Sequence, residues 1–231
     1  MPTIVFVSPK GGAGKTTAAL VLATQLAKAA PITVIDADPN HPIKTWAEAA
    51  DVPSNFQVIS NADEENIIDR IEEAASTTPF VIVDLEGTAA KIVLLAISQA
   101  DLVIVPTQGS QLDAEQASRA LRVIKQQEKM SRRSVPFAVL LTRTNVAIRT
   151  RTTAHIQGGL AAANIPVLQT QLHEREAYRA MFSFKQTLEK LDPVDVSNID
   201  KAIVNAEQFA AEIVELLRTN QAALSRNLQE A

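Results

Sequence analysis

The chain contains no cysteine, which excludes a disulfide framework, a thiolate metal site and a cysteine-ligated iron–sulfur cluster. Nothing in it demands an oxidising compartment, and the cytoplasm is the expected location. No stretch reaches the roughly 18 apolar residues of a membrane-spanning helix. The opening MPTIVFVSPK has neither a charged leader nor a small-residue cleavage pattern, so neither a secretory signal nor membrane insertion is expected. Internal repeats, low-complexity tracts and long linkers are lacking too. The three histidines, His41, His155 and His173, are not paired at a metal-ligand spacing and are expected to be structural or solvent-facing.

Negative charge is in only slight excess, at net −4, but it is unevenly placed. From Arg119 to Arg151 the basic residues are Arg119, Arg122, Lys125, Lys129, Arg132, Arg133, Arg143, Arg149 and Arg151, opposed only by Glu128. That segment is +8 and the rest of the chain −12. Arg122, Lys125 and Lys129 are spaced as a solvated helical face would be. The run continues past the next strand without a carboxylate, however, and a patch of one sign favours phosphate backbones without base readout.

A chain of 231 residues, 46% of them apolar, can bury a substantial core, and this is a common length for one α/β domain, so residues 1–231 read as a single domain. Apolar runs of strand length (TIVFVS, ITVID, FQVIS, FVIVDL, LVIVP, FAVLLT and IPVL) alternate with helix-length segments. Continuous Val/Ile/Leu runs alternating with helices predict a doubly wound α/β fold, its mostly parallel sheet covered on both faces. Prolines 31, 53, 79, 136 and 166 stand where a helix must end before the next strand. Near the end, Ile199, Ile203, Phe209, Ile213 and Leu217 fall on one helical face, predicting a helix over about 198–218 with a frayed tail at 219–231.

The strand TIVFVS runs directly into PKGGAGKTT and then into a helix, the context a phosphate-binding loop requires. Gly11, Gly12 and Gly14 allow a tight turn around Ala13 whose backbone N–H groups, with the helix N-terminus carrying Thr17, face an anion. Lys15 is placed to reach the β- and γ-phosphates, and the Thr16 hydroxyl to ligate Mg2+. Pro9 occupies the first glycine position of the standard Walker pattern, so the loop is a deviant form.

KGGAGKTT, with its extra Lys10, resembles the deviant Walker A motif of the ParA/MinD family of P-loop ATPases. VIDADPN (Val34 to Asn40) resembles that family's second aspartate motif, FVIVDLEG its Walker B strand, and LVIVPTQGSQLDAEQA the strand and loop that follow. The resemblance covers about residues 3–190. It implies a slow ATP hydrolase that uses ATP and Mg2+, closes an ATP-dependent homodimer, and has Lys10 reaching the partner's phosphates. It also implies that Asp38 orients the attacking water, that Asp36 supports the magnesium and phosphate-loop network, and that Asp84 holds a magnesium-bound water. Asp36 and Asp38, with one residue between them at a strand end, are expected not to project alike and so to do different work. The sequence departs from the family where Leu85, Glu86 and Gly87 follow the Walker B aspartate.

Short ParA proteins lack an N-terminal DNA-reading domain, and the absence of residues before the first strand resembles that form. The resemblance implies nonspecific double-stranded DNA binding through dispersed cations, here Arg122, Lys125, Arg132, Arg133, Arg143, Arg149 and Arg151. It further implies nucleoid association in the ATP state and a ParB-like or cargo adaptor that stimulates hydrolysis. HEREAYRAMF (His173 to Phe182) and DADPNHPIKTW are similar to ParA relatives that deliver transfer DNA. Thr142 to Asn145 and the loop near Gln169 to Gln171 lie where the family holds the base. The alternative is a MinD-like regulator of a membrane or protein assembly. That reading is disfavoured because LLRTNQAALSRNLQEA lacks the basic and bulky apolar cassette of a membrane-docking helix.

Overall fold

Strands form where apolar residues occupy consecutive positions, because both of their faces are covered. The computed structural model describes residues 1–9, 11–86, 91–109, 111–145 and 151–229, except the side chains of 111–116, 151–153, 155, 224 and 227–229. Its strands are β1 (Thr3–Phe6), β2 (Ile32–Ala37), β3 (Phe56–Ile59), β4 (Phe80–Leu85), β5 (Leu102–Gln108), β6 (Phe137–Thr144) and β7 (Leu172–His173). They form one sheet in the order β3-β2-β4-β1-β5-β6-β7, and every pairing is parallel.

The helices are α1 (Lys15–Leu26), α2 (Pro42–Ala49), α3 (Ile67–Thr77), α4 (Lys91–Gln99), α5 (Gln111–Ser131), α6 (Arg151–Ala162), α7 (Glu176–Phe184) and α8 (Ile199–Gln229). Strand alternation divides the core in two. Ile4 and Phe6 pack with α1, α2, α7 and α8 on one face, while Val5 and Val7 pack with α3, α4, α5 and α6 on the other. Helix α1 is buried along almost its whole length, enclosed between the sheet and α8. Because β1 is central, with the chain first building outward on one side and later on the other, the loop after β1 opens at the switch point where such sheets bind ligands.

The sequence reading needs adjusting at three places. The run IPVL contributes an isolated bridge between Val139 and Val167, and the seventh strand lies beyond it at Leu172–His173, joined to β6 around a bulge between Thr142 and Thr144. Helix α8 continues past Arg218 to Gln229, since no glycine or proline interrupts it there. Finally, Asp36 and Asp38 are separated by the end of the strand. Residues two apart in a continuous strand share a face, but β2 stops at Ala37 and Asp38 turns away, its Oδ1 accepting the Asn40 backbone N–H at 2.9 Å.

Arg133, expected on the DNA face, is a structural link. Its guanidinium donates to the carbonyls of Ser98 (2.9 Å), in the last turn of α4, and Ala100 (3.0 Å), just beyond it, and pairs with Asp101 at 3.3 Å. The other oxygen of Asp101 accepts the Thr3 N–H of β1 at 2.8 Å. We expect Arg133→Ala to lower stability by about 1–2 kcal/mol, the scale of lost hydrogen bonds to a charged group, read as a reduced urea midpoint at unchanged slope.

Candidate functional site

The phosphate loop is shaped by two left-handed glycines and two clamps. Gly12 (φ 76°) and Gly14 (φ 91°) adopt backbone angles that side chains disfavour, and Gly14 caps α1 while its carbonyl accepts the Ala18 N–H at 2.9 Å. Gln108, ending β5, donates Nε2 to the Gly12 carbonyl at 2.9 Å. Thr142, in β6, donates Oγ1 to the Ala13 carbonyl at 2.8 Å. In a planar trans peptide the N–H points opposite to the C=O, so the two clamps turn the N–H groups of Ala13 and Gly14 the other way. The loop is thereby set to receive an anion at the head of α1. Gly11 is exposed there, Thr17 half-buried. Lys10 lies outside the described residues.

Lys15 is 8% exposed and its Nζ donates to the Ser8 carbonyl at 3.4 Å. Burial holds its ammonium below the usual lysine range, opposed by the fields of Asp84, Asp38 and Glu86. Asp36 and Asp84 sit side by side in register on β2 and β4, both with 0% exposure. Burial pushes Asp84 up to about 7; the Thr16 hydroxyl and Lys15 pull it down, and Asp36 and Asp38 add to the rise. Thr16 acts on the charge, yet neither Asp84 oxygen has a hydrogen bond of good geometry.

Burial also raises Asp36, against stabilising N–H groups from Lys44, Ile43 and Asp38. Its Oδ2 accepts the N–H groups of Ile43 and Lys44, both at 2.9 Å, while Oδ1 is buried without a partner. Unpartnered carboxylate oxygens near a threonine hydroxyl form a donor set suited to a hard divalent cation. Among the described residues no group of three or more His, Asp or Glu side chains forms a ready-made metal cage, so such an ion would need further oxygens from its ligand.

Beside the loop, a cavity of about 360 Å³ is lined by Gly14 and Thr17, the β6 end (Thr142, Arg143), His173 to Arg175, and Tyr178, Arg179, Phe182 and Ser183 of α7. Arg143, which the sequence reading put both among the DNA-binding cations and in the Thr142–Asn145 segment where the family holds the base, lines this cavity from a left-handed position (φ 51°) at the β6 bulge. Tyr178 donates its hydroxyl to Asn205 Oδ1 at 3.1 Å, and burial raises its phenol further from ionisation. His173, at the cavity wall, shares a 2.8 Å hydrogen bond with Thr144. Glu212 of α8 accepts the Gln169 and Thr170 N–H groups, both at 2.7 Å, and so fixes that loop. The clamps and the α7 wall escaped the sequence reading. Gln108 lies within a motif quoted for its resemblance, but no spacing marks which carbonyl it holds.

Of the other basic residues, Arg119, Arg122, Lys125 and Lys129 are exposed on α5, and Arg132 is exposed just beyond it. Lys125, Lys129 and Arg132 border an open hollow that also includes Glu128 and Arg133. Glu128 is occupied by the Val135 N–H at 2.8 Å and the Ser134 hydroxyl at 3.1 Å. Arg149 lies outside the described residues, and Arg151 begins α6 with its side chain not described.

A parallel doubly wound sheet with a deviant phosphate loop at its switch point and acidic residues at the ends of two adjoining strands defines a P-loop ATPase of the ParA/MinD class. Within that class the chain belongs to the VirC1 family, whose model, described as VirC1 protein, matches residues 1–224. It is 39% identical over 218 residues to Protein ParA of Rhizobium radiobacter, covering 94% of this chain and 98% of that protein. With Protein virC1 of Rhizobium rhizogenes it shares 30% identity over 187 residues, covering 78% and 80% of the two chains. Among solved structures, an ATP complex of Cyanothece McdA superposes with a TM-score of 0.73 at 20% identity, covering 92% of this chain and 96% of that one.

The raised Asp84 carboxyl has a consequence for the nucleotide-free protein. The folded state holds a proton that the unfolded state releases between about pH 4 and 7, so stability falls as pH rises through that window and levels off above it. A shift from 3.8 to about 7 corresponds to roughly 4 kcal/mol. Asp84→Asn is expected to raise the apo Tm at pH 8 by about 5 °C or more and to flatten its dependence between pH 4 and 7, as scanning calorimetry across that range will show.

Proposed function

We propose that this protein is a positioning ATPase of the ParA type: it binds Mg–ATP, closes a nucleotide-sandwich homodimer, coats double-stranded DNA without sequence preference, and is released when a ParB-like or cargo adaptor stimulates hydrolysis. The observation that carries the proposal is the convergence of Lys15, buried unpartnered Asp84 and the clamped loop beside a cavity of nucleoside size. Gly11 to Thr17 surround the phosphates, Lys15 lies on the β- and γ-phosphoryl oxygens, and the cavity toward α7 takes the nucleoside. Thr16, Asp84 and the free oxygen of Asp36 would hold magnesium or its waters, and the ion would offset negative charge on the β- and γ-phosphoryl oxygens.

Asp38 orients the water that attacks the γ-phosphorus as the bond to the β-phosphate oxygen breaks. Its carboxylate is fixed by Asn40, through the backbone at 2.9 Å and the side chain at 3.0 Å. By family resemblance Lys10 completes the partner's site. Lys15→Ala should weaken ATP binding at least 100-fold in equilibrium dialysis. Asp38→Ala should lower kcat at least tenfold while the ATP-bound dimer persists in gel filtration. Normal turnover by either variant would remove its assigned role.

The DNA reading is supported by the exposed row Arg122, Lys125, Lys129 and Arg132. All four are exposed, and Lys125, Lys129 and Arg132 border one open hollow, whereas Arg133 holds the end of α4 and Arg143 lines the cavity beside the phosphate loop. No described helix is long and apolar enough to cross a membrane, in keeping with a cytoplasmic protein that associates with the nucleoid when ATP-bound. With random-sequence duplex DNA, binding should require ATP rather than ADP and weaken with salt. Replacing the four cations by Gln should reduce the slope of log K against log salt by roughly one per residue. An unchanged slope would place the DNA surface elsewhere.

A further inference from the structure

Helix α2 is tethered to both ends of the site. After Pro42, which has no N–H to offer, the next two N–H groups of the helix, from Ile43 and Lys44, both go to Oδ2 of Asp36. The residue preceding the helix, His41, is left-handed (φ 45°) and gives no side-chain cap. A carboxylate projecting from β2, beside Asp84 in the strand register, therefore replaces the usual N-cap. One turn on, the fully buried Trp46 donates its indole N–H to the Met181 carbonyl of α7 at 2.9 Å and is wedged against Phe56 with ring centroids 5.8 Å apart. Tyr178, Arg179, Phe182 and Ser183 on that α7 turn line the cavity, whereas Trp46 does not.

We propose that Trp46 is a positioning residue for nucleotide binding: through Asp36, α2 and the Met181 carbonyl, occupancy of the phosphate end sets the placement of α7 and hence of the nucleoside cavity. This rests on the ATP-site assignment above. Asp36 has one oxygen committed to α2 and one buried oxygen without a partner, so any ligand or ion recruiting the free oxygen pulls on the group that caps the helix. The helix is eight residues long, a single stiff body of about 12 Å, and a displacement at its cap is carried to the indole. The two half-ligands should then bind with mutual strengthening, the reciprocal coupling that linkage requires.

The test separates the ends of the nucleotide. Binding of magnesium tripolyphosphate to the full chain is measured by calorimetry with and without saturating adenosine. Adenosine should tighten tripolyphosphate about tenfold in the wild type. Trp46→Phe, which keeps a ring but removes the indole donor, should reduce this to under twofold, while tripolyphosphate alone binds within threefold of wild type. A second measurement uses the natural protein: Trp46 is the sole tryptophan, so magnesium tripolyphosphate alone should shift its emission, and it decides the matter if the variant does not fold. Coupling retained in Trp46→Phe, its absence from the wild type, or unchanged emission on binding would each overturn the proposal while leaving ATP binding intact. Failure of the wild type to bind either ATP or tripolyphosphate would overturn the ATP-site assignment and this proposal with it.

Discussion

Two carboxylates in register on neighbouring strands, both cut off from water, impose a constraint on everything built around them. Like charges so close resist joint ionisation, and Asp36 and Asp84 have only partial relief from their surroundings. Asp36 is eased by two N–H groups of α2. Asp84 has the fields of Thr16 and Lys15 but no well-formed hydrogen bond. The phosphate loop, the first turn of α1 and the start of α2 are therefore more than neighbours of the acidic pair: they supply the positive ends and donors that make its burial tolerable. A divalent cation carried in by a polyphosphate would complete the compensation that the protein leaves unfinished.

The sheet supplies the means. Both faces of β1, β2, β4 and β5 are covered, so their ends are fixed by packing rather than by loop conformation, and register alone sets Asp36 against Asp84. Clamps from β5 and β6, on one side of the central strand, hold the carbonyls of Gly12 and Ala13 in the loop that leaves it. Parallel pairing places all of these strand ends on one side, which is why a site drawn from distant parts of the chain can be assembled with so few intervening loops.

Much of the phosphate end was legible in the sequence because its signal is contiguous: a strand, a glycine loop, Lys15 and Thr16, and a helix follow one another without a gap. The alternating apolar runs likewise disclosed the parallel sheet. The cavity beside the loop was only loosely legible, since its wall is built from β6, the β7 region and α7: the Thr142–Asn145 segment was marked by resemblance alone, and nothing local tells Arg133 that it binds the end of α4. Trp46 and Met181 meet across 135 positions, a separation at which periodicity carries no information. The seventh strand was misplaced because IPVL has strand composition yet pairs only briefly, while Leu172–His173 is too short to show alternation. Asp36 and Asp38 were separated for the wrong reason, strand termination being harder to see than strand presence.

At the bulge in β6, Thr142 and Thr144 are buried while the intervening Arg143 is exposed to the cavity. One threonine anchors the phosphate loop and the other anchors His173, so the segment's structural duties fall on alternate residues and the middle one is spared them. Its left-handed backbone narrows the choice of substitutes, favouring glycine and asparagine over β-branched residues. A substitution at this one position would therefore change the lining of the cavity while leaving the threonine clamp on the Ala13 carbonyl in place.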